Sequence, residues 1–229
     1  MLVVALDGPA GAGKSTVSRR LAARLGVPYL DTGAMYRCVA LAALTGDIDP
    51  SDVEAVADIA RRVRIDISDD AVVLDGNDVT LGIRTPEVNA VVSIVAANSA
   101  VRAELRGQQR AWAERSGGGV VEGRDIGSVV FPDAALKVYL TASPLERARR
   151  RAAEAGGEVA QIAASIAERD RIDSTRADSP LVAAEGSVIV DTDGLGIDDV
   201  IDRIVALLDR AEFASPEQLL EKSLGKRNA

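Results

Sequence analysis

The chain has 229 residues, enough for one globular domain with an insertion, and its formal charge of −8 makes it a poor candidate for gripping a nucleic-acid backbone through phosphate contacts. An aromatic content of 3% leaves the core to Val, Leu, Ile and Ala, which suits parallel strands covered by helices. A single cysteine, Cys38, excludes an internal disulfide framework; no run reaches the roughly 18 apolar residues of a membrane span; and the N-terminus enters a motif at once, with no room for a signal peptide, so a soluble cytoplasmic protein is expected.

Residues 2–6 are a short apolar run ended by Asp7 and Gly8, the pattern of a buried strand. Apolar residues at helical spacing follow over 14–25, with Gly26 as the stop signal. A second strand over 27–30 and a second helix over 33–44, closed by Gly46, complete a strand–helix–strand–helix order that argues for parallel βαβ units. Ser51 is placed to cap a helix through about residue 63. Strands over 64–68 and 71–74 meet at Asp69-Asp70, and Asp75-Gly76-Asn77 signals a further tight turn, so a small β-rich insertion over 47–86 is expected. Two helices over 87–97 and 99–115 come next. Gly117-Gly118-Gly119 then breaks the chain before a strand over 120–122. Strands over 136–141 and 187–191 flank a charged helical stretch over 144–171, interrupted by Gly156-Gly157. An amphipathic helix over 197–211 follows, then a polar tail over 213–229 with room for a short helix at 216–224. With no heptads and no long apolar edge, a monomer is the default.

Gly8-Pro9-Ala10-Gly11-Ala12-Gly13-Lys14-Ser15 fits G-x-x-x-x-G-K-S/T between a strand and a helix. The glycines let the backbone turn and approach a phosphate closely. Backbone N–H groups and the positive helix end then face the anion. Lys14 would reach the β- and γ-phosphates, and the Ser15 hydroxyl would hold Mg²⁺. The motif points to a nucleotide, not to a reaction. No N-K-x-D guanine signature and no L-S-G-G-Q signature occurs, and the chain is short for a motor, which leaves a small-molecule or nucleotide kinase.

A phosphorylated acceptor brings two anionic tails together, and arginine neutralises them best with its planar, permanently charged fork. Arg37 lies on the helix after the second strand, Arg124 just past a strand end in Glu122-Gly123-Arg124-Asp125, and Arg169, Arg171 and Arg176 cluster further on. Strand C-terminal ends are where open α/β sheets bind ligands.

Gly8 to Thr16, Asp31 to Arg37, Ile83-Arg84-Thr85, Gly123-Arg124-Asp125-Ile126-Gly127, Val130-Phe131-Pro132-Asp133-Ala134 and Arg169 to Arg176 together resemble the bacterial cytidylate kinase family of P-loop nucleoside monophosphate kinases, over about residues 2–211. The resemblance implies an α/β three-layer fold: a parallel sheet flanked by helices, a β-rich monophosphate-binding insertion (47–86) and a helical lid (144–171) on a core formed by 1–46, 87–143 and 172–212. It implies that ATP is the co-substrate with Mg²⁺ and CMP or dCMP the acceptor. Thr32, Tyr36, Arg37, Gly123, Arg124 and Arg169 would surround the CMP phosphate and sugar. Ser93, Arg102 and Asp125 would read cytosine, and Asp173 and Arg176 would contact the ribose. Lys14, Arg124 and Arg169 would be catalytic, and Arg147 and Arg151 are candidates for ATP phosphate contacts. Two positions depart from the pattern: Glu122 stands where Asp is common, and Thr32 where Ser is frequent.

A carboxylate accepts from the cytosine N4 amino group but meets the uracil O4 with like polarity, so Asp125 would favour CMP over UMP. Two other readings stay open. One is a small-molecule alcohol kinase of the shikimate or gluconate type, with Asp31 or Asp125 as its base. The other is a non-catalytic ATP-binding module.

Overall fold

The computed structural model describes residues 1–68 and 70–210; the predicted tail and its short helix lie outside the described residues. Strand β1 (Leu2–Asp7) sits at the centre of a five-stranded parallel sheet in the order β2-β6-β1-β7-β8, where β2 is Tyr29–Asp31, β6 Gly118–Gly123, β7 Leu136–Thr141 and β8 Val188–Asp191. Both faces are covered, which is why β1 reads as an unbroken apolar run. Val4 and Leu6 face α1 (Lys14–Leu25) and α8 (Ile197–Arg210), packing on Val17, Leu21, Ile201 and Ile204. Val3 and Ala5 face the other layer, built from α2 (Thr32–Thr45), α3 (Val53–Arg62), α4 (Pro86–Ala97) and α5 (Ser99–Ser116). The expected three-layer α/β architecture is what the chain adopts.

The helix starts follow local chemistry. Asp31 caps α2 by accepting from Ala34 N at 3.0 Å, so the helix begins one residue earlier than apolar spacing alone predicts. Asp52, not Ser51, caps α3. Thr85 caps α4, which has Pro86 in its first turn.

The glycine run 117–119 behaves differently from the expectation. Only Gly117 ends a helix; Gly118 and Gly119 belong to β6, paired with Leu2 and Val3 of β1. A Cβ at Gly118 would lie 1.8 Å from Leu2 O, and one at Gly119 2.3 Å from Pro28 O. The strand can squeeze between its neighbours only without side chains, so these glycines extend it rather than break it.

In the region predicted to be β-rich, a three-stranded antiparallel sheet forms from β3 (Ile65–Ile67), β4 (Val72–Leu74) and β5 (Asn77–Asp78). Its third strand starts inside the predicted turn, because Asp75-Gly76 alone suffices for the reversal. Val72 and Leu74 pack on Ala34 and Cys38 of α2, which gives the lone cysteine a packing role. α3, within the same segment, contributes Val56, Ile59 and Ala60 to the main core. The charged stretch forms α6 (Pro144–Ala155) and α7 (Val159–Thr175), parted at Gly156-Gly157 and ending four residues later than predicted. Among the described residues, no single helix is long and apolar enough to cross a membrane.

Candidate active site

The loop after β1 is shaped by contacts that admit almost no substitution. Gly8 has φ 149°, and a Cβ there would stand 2.1 Å from Leu140 O on β7. The backbone therefore turns tight against the neighbouring strand, and Gly13 in the left-handed region starts α1 with no side-chain cap. The N–H groups of that first turn are left facing the cleft, as an anion requires. Lys14 Nζ donates to Pro9 O at 2.8 Å, across the mouth of the loop.

From behind, the loop is held by α6 and α7. Arg147 is buried and donates to Ala142 O at 3.1 Å, to Ala10 O at 3.0 Å and to Asp170 Oδ2 at 2.5 Å; Asp170 Oδ1 accepts from Ala10 N at 3.4 Å. The structure thus puts Arg147 behind the loop backbone and leaves it off the cleft wall, while Arg151 lines the cleft.

The cleft, about 1010 Å³, opens at the C-terminal ends of the strands. Lys14, Ser15 and Thr16 form one side. Thr32, Tyr36, Arg37, Ser93, Arg102, Gly123, Arg124, Asp125, Arg169, Asp173 and Arg176 all line the same space, although four helices, the 123–125 turn and the residue just past α7 supply them. Arg124 donates from Nη1 to Gly8 O at 2.6 Å and from Nε to Asp173 Oδ2 at 2.8 Å, so it bridges the loop and the wall opposite. Arg37 donates to Asn89 Oδ1 at 2.6 Å and Ile83 O at 3.2 Å. Arg169 has a buried Nε with no partner among the described residues.

These cations strain against each other. Burial, and then the charge of Arg169, push the Arg37 guanidinium down to about 10. Burial and the charge of Arg124 push Arg169 below its ordinary value. Burial and Arg124 likewise hold the Lys14 ammonium well below the usual range. A bound anion would relieve all three.

A second network lines the deep end. Arg102, 1% exposed, donates to Asp125 Oδ2 at 2.5 Å and to Ala96 O at 3.1 Å, and its guanidinium lies 5.5 Å from the Tyr36 ring centroid. Arg176 Nη2 lies 3.8 Å from Asp125 Oδ1 without a hydrogen-bond partner among the described residues. Asp125, which lines the cleft, therefore keeps Oδ1 free of hydrogen bonds from these arginines. Asp173 sits between Arg124 and Arg176. Burial favours its neutral form, but the Arg124 guanidinium wins and holds it below the usual carboxylate range.

Two further carboxylates stand on the donor side, Glu122 beside Ser15 and Asp31 near Glu122. Glu122 is buried and takes the Tyr29 hydroxyl; its backbone carbonyl accepts from Thr32 Oγ1 at 2.6 Å. Burial and the charge of Asp31 push the Glu122 carboxyl well above its usual range. A hydroxyl beside one carboxylate, with a second carboxylate adding its charge nearby, suits Mg²⁺, which takes one or two carboxylates and keeps several waters.

Four contributors escaped the sequence reading. Tyr29 clamps Glu122, and Asp170 ties α7 to the loop. Asp178 accepts from Arg106 at 2.9 Å and stands 3.7 Å from Arg102. Asp7 is buried and accepts from Ile126 N and Gly127 N, each at 2.8 Å. Asp7 alone carried a signal, as a carboxylate ending an otherwise apolar strand.

Comparison with known proteins agrees with this geometry. The cytidylate kinase family model matches residues 4–210. The cytidylate kinase of Mycobacterium leprae (strain Br4923) is 49% identical over 218 residues, covering 93% of this chain and 98% of that one. The bifunctional pantoate ligase/cytidylate kinase of Prochlorococcus marinus (strain MIT 9303) is 49% identical over 216 residues; 90% of this chain is covered, but the match spans only 44% of that longer relative. An uncharacterized protein from Eubacterium ventriosum shares the fold, with a TM-score of 0.53 at 11% identity, covering 91% of this chain and 98% of that one. With a phosphate-binding loop, a converging arginine set and a family match along almost all of its length, the chain belongs to the cytidylate kinase family.

Proposed function

We propose that the chain transfers the γ-phosphate of ATP to CMP and dCMP, giving ADP and the pyrimidine diphosphate. One observation carries this reading: Arg37, Arg124 and Arg169 meet Lys14 in a single cleft, and the mutual repulsion of these cations is what two facing phosphate chains would cancel. The second pKa of a phosphate monoester is about 6, so the acceptor is largely a dianion at neutral pH and needs no general base. The chain contains no histidine. Lys14 and the N–H groups of α1 would hold the donor phosphates, while Arg124 and Arg169 would align the acceptor oxygen and spread the charge that develops in transfer.

Ser15, with Glu122 and Asp31 behind it, would hold Mg²⁺, which supplies charge neutralisation between the donor phosphates. Asp125 Oδ1 would accept from cytosine N4, with Ser93 and Arg102 beside it. Asp173 and Arg176 would meet the ribose. The 47–86 segment would act as the monophosphate-binding insertion, and α6 with α7 as the lid that excludes water. In that lid Arg151 is placed for the ATP phosphates, and Arg147 would support them through the loop it backs.

An alcohol acceptor would bring no second phosphate to offset the Arg37, Arg124 and Arg169 charges, and each candidate base already has one oxygen committed, Asp31 Oδ1 to the α2 cap and Asp125 Oδ2 to Arg102. A panel of CMP, dCMP, UMP, AMP and shikimate with ATP and Mg²⁺ tests the proposal. CMP and dCMP should give diphosphate fastest; conversion of shikimate without conversion of CMP would reject it.

A further inference from the structure

Asp7 closes the central strand yet takes no part in the chemistry proposed above. Its carboxylate is 3% exposed and accepts from two consecutive backbone amides, Ile126 N on Oδ1 and Gly127 N on Oδ2, each at 2.8 Å. The next residue, Gly8, offers its carbonyl to Arg124 Nη1 at 2.6 Å. The pair Asp7-Gly8 therefore grips the 124–127 segment on both sides of Asp125. The segment needs such a grip: the β1–β6 ladder ends at Asp7 and Gly123, and Ile126–Val130 is a single π-helical turn, a form that recurs at functional sites. A carboxylate is suited to the task because it accepts twice and donates nothing. An amide of the same shape would turn an NH₂ toward one of the two N–H groups.

Resting on the reading that Asp125 faces the acceptor base, we propose that Asp7 is a positioning residue for base selection: it sets the Arg124–Gly127 turn so that the Asp125 carboxylate stands in its reading position before the acceptor arrives. The strand end that launches the donor loop thereby also aligns the groups that choose the acceptor.

Steady-state kinetics of the full chain and its Asp7→Asn variant, with CMP and UMP as acceptors and ATP varied separately, tests this. Wild type must first prefer CMP; if it does not, the functional reading fails and the variant is not at issue. In Asp7→Asn, loss of one buried hydrogen bond should raise KM for CMP and lower the CMP-over-UMP preference in kcat/KM, each about tenfold, with KM for ATP changed less than about twofold. An unchanged preference, or an equal rise in both KM values, overturns the proposal, because general loosening acts on both sites alike. Should the variant not fold, hydrogen exchange of the wild-type Ile126 and Gly127 amides decides. Slow exchange without nucleotide supports a preset turn; fast exchange that slows only when CMP is added overturns it.

Discussion

The two sides of the cleft are built by different means. The donor side is backbone: a glycine loop wedged against Leu140, an uncapped helix start and one lysine. The acceptor side is side chains: Arg102, Arg124 and Arg176 paired with Asp125 and Asp173, and Arg37 and Arg169 lining the same cleft without pairing to either carboxylate. A backbone site is held by steric contact of the main chain with its neighbours, here Leu140 O beside Gly8, and does not depend on paired side-chain charges. A side-chain site depends on each buried charge keeping its partner, because an uncompensated buried ion is costly. The donor side should therefore lose chemistry without losing structure, and the acceptor side should lose both.

Lys14→Ala is the sharpest probe of that contrast. Removing a cation that meets developing charge should lower kcat by about 10³-fold, while thermal unfolding shifts little; a large fall in Tm would break the comparison. Arg102→Leu should do the reverse first. It strands Asp125 in a buried site and should destabilise the fold by about 3 kcal/mol in urea titration, with a weakened preference for CMP over UMP. Thr32→Val tests the seam between the two sides. It removes the bond to Glu122 O and should cost about 1 kcal/mol with little effect on KM for ATP. The smallest effect concerns pH. Asp173 is held below its ordinary 3.8 in the folded protein, so its ionised form stabilises the fold above that value and the contribution is lost as pH falls through the lower, folded one. Asp173→Asn should show a shallower fall in stability on acidification below about pH 4 than wild type.

The legibility of the site in sequence follows the same division. Lys14 and Ser15, which line the cleft, could be singled out because eight contiguous residues carry the whole loop. Arg124 and Asp125 could be found because they follow a strand end. Arg147 resembles its neighbours Arg149 and Arg151 in composition, yet tertiary contacts turn it behind the loop and turn Arg151 into the cleft. Asp178 and Asp170 sit in a charged run typical of a solvated surface, and no local pattern distinguishes them.

What the chain's sequence determined by itself was local: the alternation of strands and helices, the loop whose glycines no other residue can replace, and the caps set by Asp and Thr. The alternation and the caps depend on sterics and hydrogen bonds within a few residues, while the loop motif is local in sequence and its Gly8 is enforced by Leu140 on the neighbouring strand. Only the tertiary structure decided that Gly118 and Gly119 would continue a strand, that Asp7 would bind a turn more than a hundred positions away, and that five arginines would converge with two carboxylates. Such pairings arise when the sheet stacks distant segments side by side, and the cost of an uncompensated buried charge then sets Arg102, Arg124 and Arg176 beside Asp125 and Asp173.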